Sequence, residues 1–354
     1  MKLKKIFAGA VILLALTSSV FAAKAKKTNK ASGKLQVVTT IFPEYDWTRE
    51  ILGKNPGKVE LTLLLGNGVD LHSYQPSIQD IAKIATADIF IYVGGESDGW
   101  VDDALKNATN KNMKVINLLE TLGDKVKEEE LKEGMQEEEE EEHHHDGDHH
   151  DDDDDHEEED HEEEGHHHHH DDEEEVEYDE HVWLSLRNAK ILSAEIAAAL
   201  CEKDAANAAS YKANLAAYTA KLDALDAQYA AVVKAGTRNT ILFGDRFPFR
   251  YLVDDYGLDY FAAFVGCSAE TEASFETIIF LSKKVDELDL NSVCKIESGD
   301  GKIARTIIQN SKSKNAKVLT LDSIQSTTKK QADSGASYLK IMQDNLKVLE
   351  EALK

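Results

Sequence analysis

The chain has 354 residues, 42% of them hydrophobic, enough to build one large or two ordinary folded domains. Its formal net charge of −27 is local, because residues 137–180 hold 28 Asp and Glu and no Lys or Arg. The remainder is close to neutral and offers no basic footprint for nucleic acid.

The N-terminus reads as an export signal. Met1–Lys5 is a short basic start, Ile6–Leu16 an apolar run too short to span a bilayer comfortably, and Ala22 and Ala23 lie at a small-residue cleavage point. Residues 1–23 are therefore assigned as a signal peptide and 24–34 as a flexible basic tether. No cysteine precedes Cys201, so no lipid-bearing cysteine is expected at the mature N-terminus. The expected destination is the periplasm or cell surface. Export permits a disulfide, for which Cys267 and Cys294 are the pair to consider. An odd count of three favours ordinary buried thiols instead.

Beyond the tether, "LQVVTTIF", "VELTLLL", "DIFIYVGG" and "MKVINLL" have strand length and β-branched composition, with helix-like stretches such as "SIQDIAKIATA" between them. This alternation predicts an α/β lobe with a parallel sheet over 35–187, interrupted by an acidic loop at about 137–180. Residues 188–236 are rich in Ala and free of Pro. They predict a long linking helix, with a break at "KDAAN" as the alternative. A second α/β lobe follows over 237–354, with strands at "TILFGD", "YFAAFVG", "SVCKIES" and "KVLTLDS" and helical character only at the C-terminal "ASYLKIMQDNLKVLEEALK".

Fourteen histidines are present. Twelve fall inside the acidic segment: His143, His144, His145, His149, His150, His156, His161, His166, His167, His168, His169 and His170. Such a tract buries too little apolar surface to order itself, and its imidazoles read as an auxiliary, weak metal-binding loop. A purely solubilising acidic segment is the plainer alternative. Only His72 and His181 lie elsewhere. His72 follows a strand-like run and a Gly-Asn loop, at the end of a parallel strand where ligands bind. Taken alone, a loop histidine is more often a solvated surface residue. His181 stands where the chain re-enters apolar sequence at Val182, Trp183 and Leu184.

In order, "DLHSYQPS" at 70–77, the acidic His-rich insert, "HVWL" at 181–184, the Ala-rich helix and the second lobe resemble the zinc- and manganese-binding solute-binding proteins of bacterial ABC importers, most closely their ZnuA-like zinc branch. The resemblance covers residues 35–354. It implies two α/β lobes, parallel sheets flanked by helices and joined by a long rigid helix, with one metal ion in the cleft. It also implies a function: an exported receptor, monomeric and without catalytic activity, that captures a divalent cation and passes it to a membrane permease. His72 and His181 match ligand positions of the family, and Asp322 in "LTLDSIQS" matches its acidic ligand. The family's third ligand position falls on Arg246, and a guanidinium has no lone pair for a cation. Asp245 beside it is the expected substitute, with Glu297 in reserve; an ion pair of Asp245 with Arg246 or Arg250 is an equally good reading.

Imidazoles with carboxylates suit Zn²⁺ and tolerate Mn²⁺ or Fe²⁺, so zinc is the expected ligand with a manganese or iron receptor as the alternative. A periplasmic His-rich zinc buffer is a second alternative. No His-Glu-x-x-His or Gly-x-Ser-x-Gly motif speaks for an enzyme.

Overall fold

The structure, a computed structural model, describes residues 33–54, 58–136, 177–268 and 272–354. The signal segment 1–23, nearly all of the tether and the twelve tract histidines lie outside these residues.

The first half carries strands β1 (Leu35–Thr39), β2 (Val59–Leu63), β3 (Ile89–Tyr92) and β4 (Lys114–Asn117). Helices α1 (Phe42–Leu52), α2 (Ile78–Thr86), α3 (Val101–Lys106) and α4 (Leu118–Leu122) alternate with them. All pairings are parallel, in the order β2-β1-β3-β4. β3 is buried along its whole length, as a strand covered by helices on both faces must be, which is why it reads as an uninterrupted apolar run. α2 starts where Ser77 accepts a hydrogen bond from the Asp80 N–H while Asp80 reaches back to the Ser77 N–H, a reciprocal cap.

The second half repeats the plan. Strands β5 (Thr240–Arg246), β6 (Asp259–Phe264), β7 (Ser292–Ile296) and β8 (Lys317–Leu321) form a parallel sheet in the order β6-β5-β7-β8. Each sheet thus has its first strand inside, its second on one side and its third and fourth on the other. The chain changes direction of travel between the first and third strands of each sheet, and ligands bind outside the carboxyl ends of such switch points.

Two helices join the sheets. α5 (Leu186–Lys203) and α6 (Ala208–Ala235) pack against each other, so the one linking helix expected over 188–236 is two, broken at "KDAAN", the alternative reading. There the Asp204 carboxylate accepts hydrogen bonds from Asn207 Nδ2 at 2.6 Å and Tyr211 Oη at 2.8 Å. α6 buries Tyr211, Tyr218, Leu222, Leu225 and Tyr229, a single stripe at helical spacing.

Helix in the second half is not confined to the C-terminus, as the sequence reading expected. α7 (Arg250–Tyr256), α8 (Phe275–Glu287), α9 (Lys302–Asn310) and α10 (Lys329–Asp333) precede the C-terminal α11 (Tyr338–Ala352). α8 is the clearest omission: Ser274 caps it by accepting from the Thr277 N–H, and Ile278, Leu281 and Val285 repeat at helical spacing on its buried face.

α11 crosses back to the first half, packing on α6 and α1. Tyr338 at its start donates its hydroxyl to the Trp183 carbonyl at 2.6 Å, its N–H to Asp46 Oδ2 at 2.7 Å, and its ring edge to Trp47 at 5.2 Å. Lys34–Lys354 consequently form one compact unit. Tyr338→Phe should lower the free energy of unfolding by about 1–2 kcal/mol, because the buried Trp183 carbonyl loses its donor, with far-UV circular dichroism unchanged. Chemical denaturation checks this; unaltered stability would mean that the hydroxyl does not hold the C-terminal helix to the first half.

Candidate metal centre

Five loops at the carboxyl ends of strands meet in one cleft. The short turn Leu71–Ser73, beyond β2, carries His72, and Asp70 caps it by accepting from the His72 N–H at 3.1 Å. Ser97 follows β3, Arg246 ends β5, Cys267 follows β6 and Asp322 follows β8. His181 comes from a different kind of segment, the turn Val182–Leu184 that leads into α5.

The two histidines face each other, with Nε2 atoms 3.2 Å apart. Their other ring nitrogens are spoken for. His181 Nδ1 lies 3.0 Å from Asp179 Oδ1, which also accepts the His181 backbone N–H at 2.8 Å. A carboxylate can only accept, so Nδ1 carries the proton and Nε2 keeps a lone pair. His72 Nδ1 lies 2.8 Å from Ser97 Oγ and 3.5 Å from Glu180 Oε2, and Glu180 Oε1 accepts the Ser97 N–H at 2.9 Å. Ser97 Oγ can donate to His72 Nδ1 or accept from it, so without metal one Nε2–H can bridge the rings, and with both Nδ1 atoms protonated the two Nε2 lone pairs face one another.

Sharing one proton between the two Nε2 atoms is one answer to that closeness. Burial, then the neighbouring His181 and also Arg246, push His72 down to about 3 from its ordinary 6.5. A cation is a good answer. Two nitrogens each about 2.0–2.1 Å from one tetrahedral ion lie roughly 3.4 Å apart, close to the observed separation. The surroundings also favour positive charge. Asp98 is pushed up to about 7, by burial first and then, among its neighbours, by Glu180. Glu180 and Glu129 are also raised, burial being the larger cause in each and Asp179 adding to it.

Cys267 completes the group. Its Sγ and the two imidazoles place their donor atoms within 4.8 Å of one another, and among the described residues this is the one such cluster of three. The sequence reading took Cys267 as an ordinary thiol. All three cysteines are free. The available signal was its place just past the apolar strand run, at the same end of a parallel sheet as the other loops.

The carboxylates singled out from sequence sit outside that cluster. Asp245 has both oxygens engaged by backbone, Oδ1 by the Arg246 N–H at 3.0 Å and Oδ2 by the Ile296 N–H at 3.2 Å. A bulge in β5 between Phe243 and Arg246 turns this end of the strand, directing Asp245 at β7 and Arg246 at Asp70 and Gln325. Glu297 accepts from the hydroxyls and N–H groups of Ser323 and Ser326 and so braces the loop after β8. Asp322 lies in that loop, and burial followed by the Glu297 charge raises it to about 7. Its Oδ1 accepts from the N–H of Ile324 at 2.8 Å, and Ile324 holds a left-handed φ of 65°, a strained conformation for a β-branched residue. Trp183 Nε1 donates to the Ser323 carbonyl at 2.8 Å, tying this loop to the turn after His181.

Comparison with known proteins fits this geometry. Residues 37–352 match the family described as ZnuA, zinc-uptake complex component A, periplasmic. The chain belongs to the ZnuA family. The zinc-binding protein AdcA of Streptococcus pyogenes is 30% identical over 96% of this chain. The chain spans only 60% of that relative's length. The high-affinity zinc uptake system protein ZnuA of Bacillus subtilis is 28% identical over 90% of this chain and 88% of its own. Among solved structures, the Zn(II)-bound ZnuA-like domain of Streptococcus pneumoniae AdcA superposes with a TM-score of 0.63 at 25% identity, covering 91% of this chain and 99% of that domain. The metal-dependent lipoprotein YcdH of Bacillus subtilis does so with a TM-score of 0.67, also at 25% identity, covering 91% of this chain and 100% of its own. This family's two-lobe α/β fold is the one seen here.

The depressed His72 has a consequence for stability. Its folded value of about 3 lies below the unfolded 6.5, so between these values the unfolded chain binds the extra proton. His72 therefore leaves stability intact above pH 6.5 and erodes it as pH falls toward 3. In the presence of chelator, His72→Asn should show a shallower loss of unfolding free energy between pH 7 and pH 4 than the wild type. Urea denaturation at a series of pH values measures it; parallel curves would mean that His72 titrates normally in the fold.

Proposed function

We propose that this protein is an extracytoplasmic receptor that captures one Zn²⁺ ion in its cleft and delivers it to the permease of an ABC importer. The observation that carries the proposal is the pair of opposed Nε2 atoms, 3.2 Å apart, each with its Nδ1 partner fixed. That arrangement suits two arms of a tetrahedral ion site, whose nitrogens stand at nearly the same separation. The relatives' descriptions as zinc-binding and zinc-uptake proteins support the choice of ion, as does the preference of imidazole donors for zinc over manganese. The relative in Streptococcus pneumoniae is described as a lipoprotein, and placement outside the cytoplasm accords with the export signal read at residues 1–23. No described helix is long and apolar enough to cross a membrane. A binding role without catalysis and a monomeric state complete the reading.

In this reading His72 and His181 hold the ion and Asp322 adds a carboxylate. The loop of Asp322 is tied to the turn after His181 through Trp183 and Ser323, which holds it next to the segment that carries that imidazole. His72→Ala and His181→Ala should each abolish one tight site, and Asp322→Ala should weaken it by at least about tenfold, since a missing ligand exceeds the 10–100-fold cost of a missing supporting residue. Titration of the full chain against a competing chelator resolves the tight ion from weaker ones. A tight site retained in either histidine variant would end this assignment.

A further inference from the structure

We propose that Cys267 is a ligand of the cleft ion, so that the site has two imidazoles and one thiolate. The inference rests on the receptor reading and extends it to a residue that the family resemblance does not supply.

The loop after β6 is built to bring this sulfur in. Gly266 lies against the His181 ring: a Cβ there would stand 3.1 Å from His181 Cε1 and Nδ1 and 3.0 Å from the Phe247 carbonyl. A side chain at 266 would have to push the ring or the carbonyl aside by a few tenths of an ångström, so glycine suits the close approach that brings the Cys267 sulfur to the two imidazoles. The Cys267 N–H donates to Glu129 Oε1 at 3.0 Å, which fixes the loop from its other side. The remaining cysteines have other surroundings. Cys294 is buried in β7 opposite Phe243, and Cys201 lies on α5 with its sulfur 3.6 Å from the Ala208 carbonyl.

Among the described residues, the donors expected at this position are engaged elsewhere. Arg246 has only donors to offer, Asp245 is held by two backbone N–H groups, and Glu297 is held by Ser323 and Ser326. A zinc-bound sulfur lies about 2.3 Å from the metal, which puts it roughly 3.6 Å from each coordinating nitrogen. The observed donor atoms fall within 4.8 Å, so closure needs a movement of about 1 Å or less. On binding, the S–H bond breaks, the sulfur–metal bond forms, and the proton leaves to solvent. A soft thiolate beside two imidazoles favours Zn²⁺ over Mn²⁺ and leaves a fourth position for a carboxylate or water.

Two measurements on the full chain test this. Titrated with Co²⁺ as a spectroscopic probe, the wild type and Cys201→Ser should develop a sulfur-to-cobalt charge-transfer band in the near ultraviolet, and Cys267→Ser should not. The histidine-rich tract contains no cysteine and cannot contribute to that band. Cobalt bound with visible ligand-field bands but no charge-transfer band overturns the thiolate ligand and leaves the receptor reading standing. The second measurement needs no cysteine variant. Alkylation of Cys267 by iodoacetamide, read by peptide mass, should slow at least about tenfold when Zn²⁺ is added, since metal coordination removes the nucleophile. That protection should vanish in His72→Ala and His181→Ala. Absent protection overturns the proposal, and protection that persists without the histidines overturns the shared site itself.

Discussion

The centre depends first on one carboxylate. Asp179 Oδ1 takes both the backbone N–H and the Nδ1 of His181, and it does so out of reach of solvent. An imidazole buried without partners would be free to rotate and to change tautomer; with Nδ1 held by Asp179 it has one orientation. Asp179 is itself anchored, because its carbonyl accepts the Tyr251 hydroxyl at 2.8 Å. From His181 the same rigidity passes along three residues. Trp183 reaches the loop of Asp322 through its indole and the C-terminal helix through its carbonyl. Four separate stretches of chain are thereby registered against a single ring.

The electrostatic arrangement is deliberately unbalanced. Asp98, Asp179, Glu180 and Glu129 gather around two histidines, one of which is kept neutral by its burial and by its neighbour. Burying several carboxylates together is costly, and a divalent ion relieves that cost more fully than a proton can. Arg246, pairing with Asp70 beside His72, tempers the field on the other side. The site is thus sensitive to charge as well as to donor geometry.

Much of the architecture was legible in the sequence because its signals are local. β-branched runs separated by helical spacing mark parallel units, and all eight strands fall on the runs that suggested them, β5 and β6 each reaching one residue further, to Arg246 and Asp259. The nearness of His72 and His181 was legible through motif order, though they stand 109 positions apart in sequence with no local clue to contact. Side-chain direction at the strand ends was not. A bulge, which leaves no clear mark on "TILFGDR", decides that Asp245 turns toward β7 while Arg246 turns toward Asp70. Cys267 went unnoticed because what brings it to the histidines is the glycine before it, and closeness of backbone to a ring is a tertiary fact. Of the helices overlooked between the later strands, α9 has only nine residues, and short amphipathic runs are hard to tell from loops, whereas α8, with 13 residues and a serine cap, carried a readable signal.

The segments on either side of the acidic insert bond to one another. Glu128 pairs with Tyr178, the Glu129 N–H donates to the Glu177 carbonyl, and the Asp179 N–H donates to the Lys127 carbonyl. This clasp closes the excursion immediately before the residue that holds His181. The residues that hold His181 are thus tied to Lys127 and Glu129 on the near side of the insert, and Glu129 in turn takes the Cys267 N–H, so the clasp is itself part of the wall of the cleft.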